Sequence, residues 1–348
     1  MVKWRNWIIG ICMAGTASSA WADSLDQQRQ RYQQIKQAWD SNQMATVDQL
    51  LPTLQDYPLY PYLQYRLLAQ DLDQETTLAV QNFIRQYPTL PPARSLSTRF
   101  INVLAYRQDW QGVLNFSPTE PKPVQARCNW YYAKWATGQQ QAAFDGAKQI
   151  WLRGTALPAD CDKLFSVWQA SGQISPITIL ERIRLAMKAG NDSLVSYLAK
   201  TLPTDYQTMS DAIQALQQDP LTVSTFASAV GPTDFTRQAT IYAFTRVARQ
   251  DMENARSLIP ILVRAQKMGP EDEQALKEIV VWRMMGSDLT SEQARWRDAV
   301  VMNSESTALV ERRVRLALSQ HDRRGLPTWI ARLPLEAKEK DEWQYWQA

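Results

Sequence analysis

The sequence predicts an all-α protein in which antiparallel helical hairpins stack into a right-handed superhelix, or solenoid. Alternating β-branched runs bounded by turns, which are typical of strands, are absent. Apolar residues recur instead at helical spacing, as in the stripe formed by Leu180, Ile183 and Met187. The same spacing places Val310 and Val314 on one face of a later helix.

The predicted helices come in pairs that are joined by short polar bends. Gly190 can adopt the left-handed conformation that ends a helix, and Asn191 or Asp192 can cap the helix that follows. Hairpins whose apolar faces cannot be buried alone stack on their neighbours. The pattern is similar to tetratricopeptide repeats, although the repeat lengths are irregular. The predicted pairs span residues 100–118, 130–152, 180–203, 241–262 and 310–334.

Two proline-rich stretches, 57–63 and 88–94, are expected to be connectors, because proline cannot occupy the interior of a helix. A chain of 348 residues exceeds the size at which a single compact core usually keeps growing. Two packed domains and one elongated array both remain compatible with this length.

Residues 1–22 are predicted to be a secretory signal peptide. Lys3 and Arg5 give it a positive start, residues 7–17 are apolar, and Ala20 and Ala22 form the small-residue cleavage pattern. The apolar stretch is shorter than the ~20 residues of a membrane-spanning helix, which disfavours the alternative of an uncleaved anchor. We therefore expect cleavage after Ala22, no membrane anchor, and a helical domain over residues 23–348.

The charge and cysteine content constrain the partners of the exported chain. Without Lys3 and Arg5, the 38 basic side chains fall to 36 against 35 acidic ones, so no overall attraction to nucleic acid is expected. Cys128 and Cys161 are expected to form a disulfide, because a pair of exported thiols tends to be oxidised. A metal site is not expected, since His321 is the only histidine and no CxxC pattern occurs.

The sequence carries no motif for common catalytic chemistry. A triad would have to use His321, which lies in an arginine-rich bend, and no glycine-rich phosphate loop is present. Glycoside chemistry needs only one or two carboxyl groups, but nothing singles out a pair among the acidic residues. No catalytic, cofactor-binding or metal-binding residue is predicted, and no cofactor is expected.

Two enrichments permit a binding function. Eleven tryptophans follow residue 22, and they either fill helix interfaces or stack on sugar rings. A basic cluster around the 310–334 hairpin is either a solvated face or a contact for anionic groups such as the carboxylates of wall peptides. The candidates for this contact are Arg312, Arg313, Arg323 and Arg324.

Several long stretches resemble the soluble lytic murein transglycosylases of Gram-negative bacteria. They include residues 22–40, 56–66, 161–172, 311–318 and 336–348. The resemblance implies a periplasmic protein that acts on peptidoglycan, cleaving between N-acetylmuramic acid and N-acetylglucosamine to leave 1,6-anhydromuramoyl ends. It also implies a U-shaped helical domain that forms a ring around glycan strands and supports a lysozyme-like catalytic domain.

The chain lacks the sequence motif that surrounds the catalytic glutamate in that family. The family's catalytic glutamate stands in a Glu-Ser pair followed by Gly-Leu-Met-Gln, whereas Glu305-Ser306 is followed by Thr307-Ala308-Leu309-Val310. We therefore expect the catalytic domain to be absent and the helical domain to be truncated at its C-terminal end. Trp343 and Trp346 would then share a face that packs on a further helix.

The sequence thus favours a ring-forming scaffold that does not cleave peptidoglycan by itself. The alternative is a periplasmic helical-repeat scaffold that binds other proteins, among them those of cell-wall synthesis.

Overall fold

The computed structural model describes residues 24–347, and every regular element in that range is helical. The all-α fold of helical hairpins predicted from the sequence is confirmed. The predicted signal peptide and the cleavage after Ala22 lie outside the described residues. Among residues 24–347, no helix combines the length and the apolar character that crossing a bilayer requires.

The chain divides into two compact units after Asp109. The first unit is built around Ile35, Trp39, Val47 and Leu63, which are all buried. A 3-10 helix at Leu51–Leu54 links its second and third α-helices. Its α-helices are α1 (Leu25–Asp40), α2 (Met44–Leu50), α3 (Tyr60–Gln70), α4 (Thr77–Gln86) and α5 (Pro91–Tyr106).

The second unit begins at Trp110 and contains the remaining α-helices. Short 3-10 helices occur at Ala159–Cys161, Thr204–Tyr206 and Pro220–Thr222. The α-helices are α6 (Trp110–Phe116), α7 (Val124–Ala136), α8 (Gln140–Trp151), α9 (Asp162–Ala170), α10 (Pro176–Lys188), α11 (Asp192–Ala199), α12 (Gln207–Gln218), α13 (Val223–Ala229), α14 (Asp234–Gln250), α15 (Met252–Ala265), α16 (Pro270–Met284), α17 (Ser291–Met302), α18 (Thr307–Ser319), α19 (Leu326–Ala331), α20 (Leu335–Lys338) and α21 (Asp341–Gln347).

Residues at the bends end one helix and cap the next in the hairpins of the second unit. Gly190 has a φ of 69°, and the Asn191 side chain accepts a hydrogen bond of 3.2 Å from the backbone N–H of Leu194 at the start of α11. Asp251 caps α15 in the same way by accepting from the N–H groups of Glu253 and Asn254. The pairs α10/α11, α14/α15, α16/α17 and α18/α19 are in contact, and α14 also packs on both α10 and α16. The first helices α10, α14 and α16 therefore lie side by side in a layer, with α12 and α13 inserted in the sequence between α11 and α14.

The proline-rich stretches are not plain connectors. Pro61 lies in the first turn of α3, and α5 begins with Pro91 and Pro92. The first turn of a helix tolerates proline because its N–H groups have no intrahelical partner there. The expectation for 57–63 and 88–94 was therefore wrong where each stretch enters a helix.

The two terminal tryptophans have different environments. Trp343 is fully buried against α18, where its Nε1 donates a 3.2 Å hydrogen bond to Oε1 of Glu311. Trp346 is 47 % exposed and meets Tyr345 edge to face. The two indoles thus do not share a packing surface, since only Trp343 faces the helices that precede it.

Candidate functional site

A row of three cavities runs along the layer of first helices in the second unit. One of about 230 Å³ lies between α10 and α14, the next of about 310 Å³ between α14, α16 and α18, and the third of about 440 Å³ between α16 and α18. We call this row the first-helix groove. Its side chains include Arg184, Gln238, Tyr242, Thr245, Glu278, Trp282, Ser306, Arg312 and Arg315.

The helical repeat places lining residues of neighbouring cavities on shared helix faces. Tyr242 lines the first cavity and Thr245 lines the second, and residues three apart on α14 share a face. Trp282 on α16 lines both the second and the third cavity. Stacking of the first helices therefore aligns aromatic and polar side chains along one surface.

The hydroxyl of Tyr242 is oriented by a hydrogen bond to a neighbouring helix. Its hydroxyl donates to Oδ1 of Asp192 at 2.6 Å. Burial, followed by that hydrogen bond, raises the pKa of Tyr242 to about 12, so the phenol stays protonated at neutral pH. The side chain presents a neutral ring to the first cavity.

Arg312 supplies the groove with a cation that makes no ion pair within residues 24–347. Its guanidinium carbon lies 4.6 Å from the centroid of the Trp282 ring. Its neighbour Arg315 is instead bound by Glu342, with both guanidinium bonds at 3.0–3.1 Å. The third cavity thus combines an indole face with an available positive charge.

The four arginines predicted to contact anions do not converge. Arg312 faces the groove, whereas Arg313 is buried on another side of α18. The guanidinium of Arg313 donates to both carboxylate oxygens of Asp298, at 2.7 and 3.0 Å, and stacks on Trp329. Arg323 and Arg324 are exposed in the turn after α18. Successive helical residues point about 100° apart, so adjacency in sequence did not imply a shared surface.

The carboxyl groups with displaced pKa values are not poised for acid catalysis. A hydrogen bond from Arg184 lowers the pKa of Glu181, and one from Arg256 lowers the pKa of Glu292. Burial raises the pKa of Asp298 and of Glu311, but hydrogen bonds from cationic neighbours outweigh it and leave both below their usual values. A glycosidic general acid needs a pKa raised toward neutrality.

Other residues considered for chemistry have structural environments. Glu305 is exposed just before α18, and Ser306 caps that helix by accepting from the N–H of Leu309. His321 lies in a turn with a φ of 56° and is exposed. Within residues 24–347, no group of three or more His, Cys, Asp or Glu side chains is arranged to hold a metal ion.

Cys128 and Cys161 are joined by the expected disulfide bond. Cys128 lies in α7, and Cys161 ends the 3-10 helix that leads into α9. Both residues are fully buried, so the bond fixes the start of α9 against α7. The disulfide is distant in sequence from the first-helix groove and is a structural element.

By its architecture the second unit is therefore a helical-repeat module, and an aromatic and cationic groove runs along its first helices. No family model matches the chain. Over 347 residues, covering 100 % of the chain, it is 58 % identical to the soluble lytic murein transglycosylase of Escherichia coli K12. The corresponding protein of Salmonella typhimurium is 58 % identical over 345 residues.

Solved structures agree with this relationship. The crystal structure of the 70-kDa soluble lytic transglycosylase from Escherichia coli matches 93 % of the chain with a TM-score of 0.89 and 59 % identity. The lytic transglycosylase Slt from Pseudomonas aeruginosa matches 91 % with a TM-score of 0.72 and 26 % identity. Along its whole length the chain thus matches the soluble lytic murein transglycosylases. It spans about half of these relatives, 54 % of the two sequences and 53 % and 51 % of the two solved chains.

Proposed function

We propose that the chain is the helical ring-forming part of a periplasmic lytic transglycosylase that acts on peptidoglycan. Residues 1–22 would direct export, and the helical domain over residues 23–348 would accommodate glycan strands. The glutamate that cleaves the strand would lie in a part of the longer protein that this chain does not span. The observation that carries the proposal is the match of the whole chain to about half of the murein transglycosylases.

The first-helix groove supports a role in holding the polymer. Sugar rings present apolar faces that stack on aromatic side chains, and Tyr242 and Trp282 line the groove at successive positions. Wall peptides carry carboxylates, and Arg312 offers a guanidinium that is not neutralised by a neighbouring acid. A row of open cavities of this kind suits an extended ligand.

Cleavage activity gives the first test. The purified chain should leave murein intact in a zymogram, while the full-length Escherichia coli relative clears it. A cleared band at the mass of this chain would overturn the assignment of the cleaving group to the rest of the enzyme.

Binding to insoluble murein sacculi gives the second test. We expect the chain to sediment with sacculi, and Trp282→Ala together with Arg312→Ala to reduce the bound fraction about tenfold. Arg324→Ala is the matched control, because this exposed arginine of the same basic cluster lies outside the groove. Retention of wall-synthesis proteins without any sedimentation on sacculi would instead favour the protein-interaction scaffold.

A further inference from the structure

Glu278 and Arg283 on α16 are opposite charges that line one cavity without binding each other. Both side chains belong to the wall of the cavity between α14, α16 and α18, and both are partly buried. Within residues 24–347, neither the Glu278 carboxylate nor the Arg283 guanidinium forms an ion pair. The cavity therefore contains one uncompensated charge of each sign.

A second pair on the same helix shows why the two charges stay apart. Glu273 and Lys277 are four residues apart, which places them on one face of α16, and their charged atoms meet at 2.6 Å. Glu278 and Arg283 are five residues apart, which corresponds to about 140° around the helix axis. Their side chains leave the helix in different directions, although both reach the same cavity.

Both charged groups have hydrogen-bonding capacity that the described residues do not use. The Nε of Arg283 is buried and has no acceptor. The Glu278 carboxylate accepts one side-chain hydrogen bond, of 3.0 Å, from the Gln274 amide to Oε1. Buried polar groups almost always have partners, so an unpaired guanidinium and an unpaired carboxylate on one cavity indicate a ligand that carries both complementary charges.

The rest of the wall limits the size and polarity of that ligand. Ile279, Leu309 and the ring of Trp282 give the cavity apolar surface, and its volume is about 310 Å³. This volume lies at the lower end of the range of about 300–1,000 Å³ that is typical for small-molecule sites. The cavity thus fits a ligand of about the size of one amino acid.

We propose that this cavity binds a free α-amino acid group, that is, an ammonium and a carboxylate on one carbon atom. The carboxylate would accept charge-assisted hydrogen bonds from Arg283, and the ammonium would donate to Glu278. Five helical residues rise about 7.5 Å, and an ammonium–carboxylate pair with a hydrogen bond of about 3 Å at each end spans a similar distance. An apolar ligand side chain would pack on Ile279 and Leu309.

The cavity is part of the first-helix groove, and the inference rests on the proposed function only for the source of the ligand. The source would be either a free amino acid or the unlinked end of a diamino acid within a wall peptide. Recognition of the α-amino acid group itself can be measured with soluble probes, so its test requires neither sacculi nor the longer enzyme.

The probes are racemic leucine, N-acetyl-leucine, which lacks the ammonium, and leucinamide, which lacks the carboxylate. The NMR signal of the Trp282 indole N–H in the purified chain, assigned with Trp282→Phe, reports contact at the cavity. We expect leucine to shift this signal at millimolar concentration. Each derivative should bind at least about tenfold more weakly, because it leaves one of the two protein charges unpaired.

A further probe, meso-diaminopimelate, distinguishes the two sources. This diamino acid presents the same α-amino acid group at either end of a longer chain. Tighter binding than leucine would identify the diamino acid of a wall peptide as the source, and weaker binding would identify a free amino acid with an apolar side chain.

Two variants separate recognition from packing. Arg283→Met and Glu278→Gln each remove one charge and keep a side chain of similar length, so we expect both to fold and to lose at least about tenfold in affinity for leucine. Lys277→Met and Glu273→Gln are the matched controls, because they make the same changes in the ion pair of α16 that lies outside the cavity. Both controls should bind leucine as the parent chain does.

Three results would overturn the proposal: binding of either derivative as tight as that of leucine, no shift of the Trp282 signal by leucine at millimolar concentration, and unchanged leucine binding by folded Arg283→Met. If Arg283→Met does not fold, the comparison of leucine with its derivatives in the parent chain decides. Sedimentation with sacculi is measured on the same preparation. Sacculus binding without leucine selectivity rejects this inference alone, whereas leucine selectivity without sacculus binding rejects the proposed function alone.

Discussion

Two regions of the second unit achieve stability by different means. The region of α7 to α9, residues 124–170, contains the disulfide and is dense in aromatic rings, with Trp130 against Tyr131 and Trp151 against Trp168. None of its three α-helices has a side-chain hydrogen bond at its N-terminal cap position. Cys161 occupies that position in α9, so a covalent bond anchors the helix start where a cap would otherwise act.

Close backbone approach adds to the packing of this first region. A Cβ at Gly146 would overlap the ring of Tyr131, so α7 and α8 can approach only because that side chain is missing. The Tyr131 hydroxyl then reaches Glu120 at 2.8 Å. The region is thus stabilised by the disulfide bond and by the close packing of α7 against α8.

The region of α17 to α21, residues 291–347, depends on charge. Asp298 accepts from Arg297 and Arg313, and Glu311 accepts from Lys340 and Trp343. Thr290 and Ser306 cap α17 and α18 with their side chains. One helical array thus contains a disulfide that is sensitive to reductant in one region and ion pairs that are sensitive to pH in another.

The largest loss of stability is expected when the Trp343 indole is removed from the region of α17 to α21, which we call the ion-pair region. Trp343→Ala deletes a fully buried ring and the donor to Glu311, which should cost about 3–5 kcal/mol locally. Because local opening of α20 and α21 requires less free energy than unfolding of the whole unit, amides of residues 335–347 should exchange at least tenfold faster. Trp346→Ala is the control, since that half-exposed side chain should cost less than ~1 kcal/mol. Equal exchange in the two variants would show that α21 is not held by Trp343.

The disulfide region should respond to reductant. Replacing both cysteines by alanine opens a link across a sequence separation of 33 residues and should lower the free energy of unfolding by about 3 kcal/mol. Urea unfolding with and without dithiothreitol measures this loss, and reduction should lower the stability of the parent chain to a similar extent. Exchange at residues 335–347 should stay unchanged, which keeps the two regions distinct. If dithiothreitol also accelerated amide exchange in α21, the two regions would not be stabilised independently.

The sequence carried most of the fold because local rules determine it. Bends at Gly190 and Asp251 were predictable from residue type, since left-handed geometry and capping depend on a few adjacent atoms. The prolines misled because their position relative to the helix start, rather than their presence, decides whether a helix forms. Trp343 misled for another reason: its partner Glu311 lies 32 residues earlier.

The candidate site was less predictable than the fold. The arginine run around residue 312 suggested one basic surface, but helical rotation sends Arg313 into Asp298 and leaves Arg312 on Trp282. Tyr242 had no sequence signal, because what distinguishes it is its hydrogen bond to Asp192, 50 residues away.

The smallest expected effect is the loss of the Asp298 ion pairs, and it depends on pH. The pKa of Asp298 is lowered because hydrogen bonds from Arg313 and Arg297 outweigh the effect of burial. A folded-state pKa below the unfolded value of about 3.9 means that the ion pairs stabilise the fold above that pH and are lost as the pH falls through the folded value. Asp298→Asn should cost roughly 2 kcal/mol at neutral pH, less than a fully buried pair because the carboxylate is partly exposed.

Unfolding by urea between pH 7 and pH 3 tests this assignment. The stability of the parent chain should fall more steeply at the acid end than that of Asp298→Asn, because the variant has lost one group whose proton uptake opposes folding. Asp288→Asn is the control, as Asp288 is an exposed acid shortly before α17 and should leave the slope unchanged. Parallel pH curves for the parent and Asp298→Asn would mean that Asp298 acts by packing alone. The ionised form of Asp298 would then contribute nothing to the stability of α17 to α21.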